Sequence, residues 1–362
     1  MKILVTGSQG YLGSVLTAEI VRAGYDCLGC DTGFFRGGLL YPAPTTQTLP
    51  VDVRALAEPD LRGVDAVVHL AGISNDPMGK LDVSKVYDPT RAYTFRLAEM
   101  CKKHRVKFIF ASSCSIYGIG GADLLDETSP VHPQTGYSLN KLQIESDLAT
   151  LSGNGFDPIA LRFATVFGLS PRIRFDVVIN MLVGMAFTSG KIILNSDGQA
   201  WRPNLHILDL CQSVIAAIQL NNEGRGLEIL NVGSEENNKR ILDIAKTVQR
   251  FVPGSELIFL SQNPELDREG LIKDRKVKDG AEDTRTYKVS FEKIKQVMPS
   301  FSCVWSIERG VRHMLDGFRE TSLNHKKFKE RAFYRLQQLE FLHESGLISD
   351  EVSWLPSGVT KS

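Results

Sequence analysis

The sequence lacks an excess of charge of either sign. Lys and Arg together number 42, and Asp and Glu together number 42, so the formal net charge of the 362 residues is zero. Such a chain has no overall attraction for nucleic acid or for an anionic membrane surface. Any anion-binding site must therefore be local.

Long apolar runs and a cysteine framework are also missing. No apolar stretch reaches the roughly 18 residues that a membrane-spanning helix needs, and MKILVTGSQGYLG has a glycine turn where a signal peptide needs an apolar core. The six cysteines are too scattered for a disulfide framework in so long a chain. No segment has the residue spacing of a metal site. The sequence therefore predicts a cytoplasmic protein without a metal.

What the sequence does contain is a regular alternation of short apolar runs and amphipathic stretches. Strands are predicted at 2–6, 26–30, 49–51, 65–70, 107–112 and 157–162, and helices at 11–23, 90–104 and 137–150. The alternation predicts an α/β fold, a doubly wound parallel sheet with helices on both faces. Ligands bind at the carboxyl ends of the strands in such folds.

The pattern loosens after Gly168, so three parts are predicted. Residues 1–168, joined by segments at about 205–235, form the main domain, and residues 169–318 form mostly a smaller mixed α/β lobe, with a surface loop at 262–286. Residues 319–362 form a helical C-terminal extension. Its apolar stripe consists of Phe328, Ala332, Leu336, Leu339 and Leu342. We expect the extension to make a subunit contact or cover the mouth of the site; the alternative is a helix that only packs on the smaller lobe.

A glycine turn, GSQGYLG, joins the first strand to the first helix and contains Gly7, Gly10 and Gly13. Such a turn lets the backbone approach a pyrophosphate, while the N–H groups and dipole of the helix face the negative charge. Asp31 ends the second strand, where it can accept hydrogen bonds from an adenosine ribose and repel a 2′-phosphate. NAD is therefore expected rather than NADP, although the guanidinium of Arg36 could neutralise a phosphate.

Asp52 ends the third predicted strand and allows two interpretations. Its carboxylate, with the Val53 backbone, is placed to meet an adenine ring. Alternatively, it caps the N-terminus of a helix in the following segment, RALAEPDL.

Tyr137 and Lys141 lie four residues apart in a predicted helix and therefore share one face of it. A nearby ammonium favours the phenolate, so the lysine can lower the pKa of the tyrosine from its usual value of about 10. The phenol can then exchange a proton with a substrate hydroxyl near neutral pH. Downstream of a dinucleotide-binding turn, the pair indicates hydride-transfer chemistry.

These motifs, taken in order, resemble those of the extended short-chain dehydrogenase/reductase family, the nucleotide-sugar epimerases and dehydratases. The resemblance covers about residues 1–318. The matching segments are GSQGYLG, Asp31, Asp52-Val53, HLAG at 69–72, FASSCSIYG at 110–118, YSLNK at 137–141, LRFATVFG at 161–168, GQAWRPNLHILDL at 198–210 and NVGS at 231–234. It implies a Rossmann domain and a homodimer whose contact uses helices 90–104 and 137–150.

The resemblance also implies a role for each matching residue. Tyr137 would be the general acid/base, Lys141 would bind the nicotinamide ribose, and Ser113 would hydrogen-bond the reacting sugar hydroxyl. Thr165 would lie beside the substrate, with Arg202 and Arg285 on its diphosphate. The residues expected to bind NAD are Gly7, Gly10, Tyr11, Leu12, Gly13, Asp31, Asp52, Val53, Leu70, Ala71, Gly72, Ser112, Tyr137 and Lys141.

Departures from the family pattern narrow the expected reaction. Sugar 4,6-dehydratases carry Asp-Glu where this chain has Cys114-Ser115, and nucleotide-sugar decarboxylases carry Glu at the position of Ser115. We therefore expect 4-epimerisation of a nucleotide-activated sugar through a transient 4-keto intermediate. The alternative is an NAD(P)H-dependent reductase of a nucleotide 4-keto-sugar. Less expected are a 3,5-epimerase with Cys114 as proton shuttle, and a non-catalytic NAD-sensing or scaffold protein.

Overall fold

The computed structural model describes residues 1–74, 82–260 and 285–356. The predicted loop at 262–286 lies almost entirely outside these residues. The helices are α1 (Gly13–Arg22), α2 (Val83–His104), α3 (Gly136–Leu151), α4 (Val178–Ser189), α5 (Ile207–Gln219), α6 (Ile241–Phe251), α7 (Glu292–Val297), α8 (Ile307–Glu320), α9 (His325–Phe328) and α10 (Arg335–Glu344). The strands are β1 (Lys2–Thr6), β2 (Asp26–Cys30), β3 (Thr48–Leu49), β4 (Ala66–His69), β5 (Lys107–Ser113), β6 (Ile119–Leu125), β7 (Ile159–Phe163), β8 (Thr165–Phe167), β9 (Lys191–Leu194), β10 (Trp201–His206), β11 (Glu228–Val232), β12 (Asn238–Arg240), β13 (Glu256–Phe259) and β14 (Thr286–Val289).

A seven-stranded parallel sheet forms the centre of the fold, in the order β11-β7-β5-β4-β1-β2-β3. Successive side chains of a strand point to opposite faces. Ile3 and Val5 therefore join the apolar cluster that includes α1 and α5, whereas Leu4 joins the cluster that includes α2 and α3. Helices cover both faces of the sheet, which confirms the predicted fold class.

The order of the strands brings the predicted cofactor residues to one edge. Since the strands are parallel, all their carboxyl ends meet there. The glycine turn follows β1, Asp31 follows β2, and Leu70 follows β4. Strand β5 ends at Ser113 on the same edge.

The chain after Gly168 builds smaller sheets together with β6 and β8, which precede it. Strands β12, β10 and β8 form one sheet, while β9 pairs with β13 and β6 pairs with β14. Strand β11 then lies beside β7 in the central sheet. The predicted domain limits and the predicted dimer contact stay predictions. None of the helices in the described ranges is both long and apolar enough to cross a bilayer.

Helix α2 begins at Val83, seven residues before the predicted start at residue 90. The carboxylate of Asp82 caps its first turn by accepting hydrogen bonds from the N–H groups of Ser84 and Lys85. Pro89 lies inside the helix, where proline usually ends or bends one. Asp82 precedes Pro89 in the chain, so the proline separates the cap from the helical pattern recognised in the sequence. For this reason the sequence analysis placed the start of α2 too late.

The C-terminal extension is helical, but its predicted apolar stripe is only partly right. Phe328, Leu339 and Leu342 are buried as expected, whereas Ala332 and Leu336 are only partly buried. The chain leaves the helical conformation after Phe328 and forms α10 only from residue 335. A single helical period therefore cannot run through the whole segment.

Phe333 is the most buried aromatic residue of the extension. It lies in the short 3₁₀ turn before α10, is fully buried, and packs edge-on against Phe175 with ring centroids 5.5 Å apart. The backbone N–H of Phe175 also donates to the Phe333 carbonyl oxygen at 3.1 Å. Both contacts attach the extension to the region that follows β8.

The second half of the extension packs against the loop after β2 and against α2. Leu339, Leu342, Ile348 and Val352 form an apolar cluster with Phe34, Val86 and Tyr87, here called the extension cluster. Tyr137 is partly buried against this cluster. The extension therefore contacts both the loop after β2 and the surroundings of α3.

Replacing Phe333 with Ala should destabilise the whole protein. Truncating a fully buried phenylalanine typically costs about 3–5 kcal/mol of the free energy of unfolding. The matched control is Phe341→Ala, because Phe341 lies in α10 but is 39% exposed. Thermal unfolding should show a clearly lower Tm for Phe333→Ala than for Phe341→Ala. Equal Tm values would show that the extension is not part of the cooperative core.

Candidate active site

All predicted site residues line one cavity of about 440 Å³ at the carboxyl edge of the central sheet. The cavity brings together the glycine turn, Asp31, the end of β5, the Tyr137-Lys141 pair, and the arginines at 202 and 285. The structure thus places the predicted residues in one location. Their individual roles stay predictions.

The glycine turn is shaped by two close approaches of the backbone. Gly7 has φ of +73°, and a Cβ there would lie 3.0 Å from the backbone nitrogen of Ala71. A Cβ on Gly13 would collide with the carbonyl oxygen of Gly7. Helix α1 begins without a side-chain cap, and the N–H groups of Ser14 and Val15 donate to the carbonyl oxygens of Gly10 and Leu12. The positive end of the helix dipole at this turn suits a bound anion such as a pyrophosphate.

Asp31 is held in place by backbone N–H groups. Its two carboxylate oxygens accept hydrogen bonds from Gln9 at 2.8 Å and from Gly33 at 2.7 Å. Burial nevertheless raises the pKa of Asp31, and these bonds and the guanidinium groups of Arg172 and Arg36 oppose the rise. The carboxylate is oriented before any ligand arrives.

Asp52 performs the capping role that the sequence left open. Its side chain accepts the N–H of Arg54 at 2.9 Å and pairs with the Arg54 guanidinium at 2.6 Å. The capped element is a single 3₁₀ turn, Val53–Ala55. Asp52 also lines the cavity, so a role at the adenine stays a prediction.

Tyr137 and Lys141 lie in the first two turns of α3. Thr135 caps this helix in a reciprocal pair with Ser138. The Lys141 ammonium donates to the Ala111 carbonyl oxygen at 2.7 Å, and it lies 5.6 Å from the centre of the Tyr137 ring. Burial lowers the pKa of Lys141 to about 8, opposed by the nearby Glu145 carboxylate. The predicted pairing of the phenol with a cation on one helix face is present.

The residues after β5 present two serine hydroxyls to the cavity. Ser113 Oγ accepts the N–H of Ser115 at 3.1 Å. Ser115 Oγ is buried and has no hydrogen-bond partner among the described residues. Ser112 also lines the cavity, but its hydroxyl donates to the Glu145 carboxylate, so only its backbone is available to a ligand.

Cys114 points away from the cavity. Its thiol donates to the Arg162 carbonyl oxygen at 3.1 Å, and burial raises its pKa. A thiol with a raised pKa is a weak proton donor and is seldom ionised. This arrangement counts against Cys114 as a proton shuttle.

The two predicted substrate arginines touch each other. Arg202 donates to the carbonyl oxygens of Trp201 and Arg285, and its guanidinium lies 5.9 Å from the centre of the Tyr287 ring. Thr165, at the start of β8, lines the same cavity. The two arginines are contributed to the cavity wall by β10 and by the segment that leads into β14.

The sequence analysis missed an ion pair in the cavity wall. Arg174 pairs with Asp176 at 2.8 Å and donates to Ser74 Oγ at 2.8 Å. The two charged side chains are only 13% and 10% exposed. The segment PRIRFD gives no helical or strand period that would have marked them.

The sequence analysis also missed the contribution of the C-terminal extension. Arg335, Leu339, Glu351 and Val352 all line the cavity. The extension thus forms part of the cavity wall, and the expectations that it covers the mouth or makes a subunit contact stay predictions. No local signal identifies which of its residues face inward.

Comparison with known proteins places these features in a family. The model of the NAD dependent epimerase/dehydratase family matches residues 3–233. A UDP-glucose 4-epimerase of Bacillus subtilis (strain 168) is 26% identical over 293 residues, covering 72% of this chain and 84% of that protein. A UDP-N-acetyl-alpha-D-glucosaminuronate decarboxylase of Bacillus cytotoxicus is 23% identical over 336 residues, with coverage of 88% and 98%.

A solved structure is similar over nearly the whole chain. It is an NAD-dependent NDP-hexosamine 5,6-dehydratase, TunA, which is involved in tunicamycin biosynthesis. The TM-score is 0.75 at 21% identity, covering 90% of this chain and 100% of that chain. At this identity the similarity shows the fold alone.

The buried ammonium of Lys141 should cost stability, and Lys141→Met should remove that cost. An unfolded lysine titrates at about 10.5, so a folded pKa of about 8 corresponds to a penalty of about 3 kcal/mol at neutral pH. Between these two values only the unfolded chain keeps the proton, so raising the pH stabilises the wild-type protein. The stability advantage of Lys141→Met should therefore shrink as the pH rises from about 8 to about 10.

Urea unfolding across this pH range measures the difference. Lys102→Met is the matched control, because the Lys102 ammonium also donates to a backbone carbonyl oxygen, that of Leu151, but is only partly buried. A gap between wild type and Lys141→Met that does not change with pH would contradict the depressed pKa.

Proposed function

Since the chain belongs to the NAD dependent epimerase/dehydratase family, we propose that it inverts carbon 4 of a nucleotide-activated sugar. The observation that carries the proposal is the Tyr137-Lys141 pair in the cavity, with the hydroxyls of Ser113 and Ser115 beside it. In the part of the chain that the structure describes, Tyr137 has a cation, the Lys141 ammonium, one turn further along its own helix. Oxidation and reduction at one sugar carbon need a single proton-transfer group, so no acid or base besides Tyr137 is required.

The residues of the cavity suit NAD. Gly7, Gly10 and Gly13 allow the close backbone packing of a turn that lines the cavity where a pyrophosphate would lie, and Asp31 presents an oriented carboxylate for the ribose hydroxyls. When bound, NAD accepts hydride from the sugar carbon and returns it. The same Asp31 carboxylate disfavours the extra phosphate of NADP.

Tyr137 is proposed to move the proton. Its phenolate oxygen takes the proton from the hydroxyl of carbon 4 as that carbon is oxidised, and returns it to the ketone oxygen as the carbon is reduced on its other face. The Lys141 ammonium stabilises the phenolate. The 4-keto sugar must turn over between these events.

Ser113 is proposed to orient the reacting oxygen. Because its Oγ already accepts the N–H of Ser115, the hydroxyl proton of Ser113 is left to donate to the sugar. Ser115 Oγ, buried without a partner among the residues that the structure describes, provides a second hydroxyl on the same wall. Both side chains are small and leave room for the sugar to rotate.

Arg202 and Arg285 are proposed to bind the diphosphate of the substrate, with Thr165 beside the sugar. A guanidinium provides several N–H donors in a fixed plane that match phosphate oxygens. The two arginines lie next to each other in the cavity wall, which suits two adjoining phosphates.

Other reactions of the family need groups that this site does not present. A dehydratase or decarboxylase of the patterns considered needs a carboxylate beside Ser113, where the chain has Cys114 and Ser115. A 3,5-epimerase using Cys114 needs that thiol in the cavity, and it points away. The similarity to a UDP-glucose 4-epimerase supports the 4-epimerase assignment, and the similarity to a decarboxylase does not outweigh the missing carboxylate.

Tyr137→Phe should abolish turnover and leave cofactor binding nearly unchanged. Loss of a general acid/base lowers the rate by about 10²- to 10⁴-fold, while the glycine turn and Asp31 remain intact. Tyr25→Phe serves as the control, because Tyr25 accepts a hydrogen bond from Gln219 away from the cavity. Sugar interconversion and NAD binding should both be measured. Wild-type turnover in Tyr137→Phe would refute the assigned role.

A 4-epimerase should purify with NAD bound and interconvert sugars without added cofactor. UDP-, dTDP-, GDP-, CDP- and ADP-sugars should first be ranked by thermal shift, and each sugar that binds should then be incubated with the enzyme alone. We expect the 4-epimer of the sugar to form while the absorbance of reduced cofactor shows no net change. Stoichiometric consumption of NADH or NADPH would instead establish the reductase alternative.

A further inference from the structure

Arg335 lies in the cofactor region of the cavity although it belongs to the C-terminal extension. It begins α10, is only 4% exposed, and lies outside residues 3–233, which match the family model. Its guanidinium lies 4.2 Å from the centre of the Phe35 ring, in the loop that follows Asp31. The extension therefore brings a cation to the cavity wall beside the ribose end of the site.

The contacts of Arg335 do not neutralise its charge. The guanidinium donates to two backbone carbonyl oxygens, of Arg172 at 2.9 Å and of Ala332 at 3.3 Å. Asp176 accepts the backbone N–H of Arg335 at 3.0 Å, but its ion pair is with Arg174. Within residues 1–74, 82–260 and 285–356, no carboxylate forms an ion pair with the Arg335 guanidinium.

The surroundings of Arg335 carry an excess of positive charge. Burial and the guanidinium groups of Arg174 and Arg172 lower the pKa of Arg335 to about 9, opposed by Asp176 and Asp31. A buried cation without a paired anion is costly. A ligand that brings negative charge to this place would offset that cost.

The position of Arg335 relative to the glycine turn indicates which anion would offset the cost of its buried charge. Arg335 donates to the Arg172 carbonyl oxygen at 2.9 Å. The Arg172 N–H donates to Ser170 Oγ at 3.2 Å, and Ser170 Oγ donates to the carbonyl oxygen of Tyr11, in the glycine turn, at 2.8 Å. Arg335, Tyr11 and Asp31 all line the same cavity, so the guanidinium lies near both the phosphate cradle and the ribose carboxylate. The pyrophosphate of a dinucleotide lies between these two features in this fold.

We infer that Arg335 binds the pyrophosphate of NAD, so that the C-terminal extension completes the cofactor site. A guanidinium can donate to two phosphate oxygens at once and so faces the N–H groups of α1 across the pyrophosphate. The inference rests on the NAD site of the proposed function and is independent of which sugar reaction follows.

Hydrogen bonds from the extension to the loops of the adenosine side support this arrangement. Gln338 donates to the Phe34 carbonyl oxygen at 3.2 Å, and the Trp354 indole donates to the Thr32 carbonyl oxygen at 2.7 Å. Arg54, paired with Asp52, donates to the Val352 carbonyl oxygen at 2.7 Å. These bonds hold α10 against the site, so Arg335 is in position before the cofactor binds.

The test compares ligands with and without the pyrophosphate. Calorimetry should measure the affinity of the full-length protein, freed of cofactor, for ADP-ribose and for adenosine. Arg335→Gln should weaken ADP-ribose binding roughly 10- to 100-fold, as expected for a lost charge-assisted hydrogen bond, and leave adenosine binding unchanged. Arg319→Gln changes an exposed arginine at the start of the same extension that pairs with Asp316, and it should change neither affinity.

Two outcomes would overturn the inference. Unchanged ADP-ribose affinity in Arg335→Gln means that the guanidinium does not reach the phosphates. Equal weakening of ADP-ribose and adenosine means that Arg335 only holds the extension in place. If wild type binds neither ligand, the cofactor site itself is wrong, whereas missing sugar turnover leaves this inference untouched.

Hydrogen exchange of the wild-type protein provides a measurement that does not depend on a variant folding. Residues 331–344 should gain protection when ADP-ribose is added, because the pyrophosphate binds Arg335, and should gain none with adenosine. Protection by both ligands to the same extent, or by neither, would contradict the inference.

Discussion

The hydrogen bond from the buried Lys141 ammonium to the Ala111 carbonyl oxygen fixes helix α3 on strand β5. One turn further along α3, Glu145 pairs with Arg162 of β7 at 2.7 Å and accepts the Ser112 hydroxyl of β5. One turn earlier lies Tyr137. Two successive turns are therefore fastened to adjacent strands of the sheet, so the position of the phenol is set by the sheet rather than by a loop. This explains why a buried charge and a buried ion pair lie so close to the site despite their desolvation cost.

Features that depend on local spacing could be predicted from the sequence. The periods of two and about 3.6 residues predicted the sheet and its helices, and the spacing of Tyr137 and Lys141 predicted their shared face. The start of α2 was missed because the cap at Asp82 lies beyond Pro89. The positions of Arg174 and Arg335 could not be predicted, because each depends on packing between segments distant in the chain. The apolar stripe of the extension was partly wrong because one helical period was extended across a break at residues 329–334.

The site divides into a part shared with the family and a part particular to this chain. The glycine turn, Asp31 and Tyr137 lie within the family match, whereas Arg285 and Arg335 lie outside it. Known relatives named for different reactions resemble this chain, so similarity alone does not choose among those reactions. Within the matched part, our proposed reaction depends on Cys114 and Ser115, the side chains after Ser113, because neither provides the carboxylate that would move a second proton.

The extension crosses from one side of the cleft to the other. The Phe333 carbonyl oxygen accepts a hydrogen bond from the N–H of Phe175, on the side of the smaller lobe. The Trp354 indole N–H donates to the Thr32 carbonyl oxygen, on the side of the central sheet. Any hinge motion that separates these two sides must break such contacts or carry the extension with one of them. If a dinucleotide binds in the cavity that the extension lines, its residence time should depend in part on how readily this segment detaches by local unfolding.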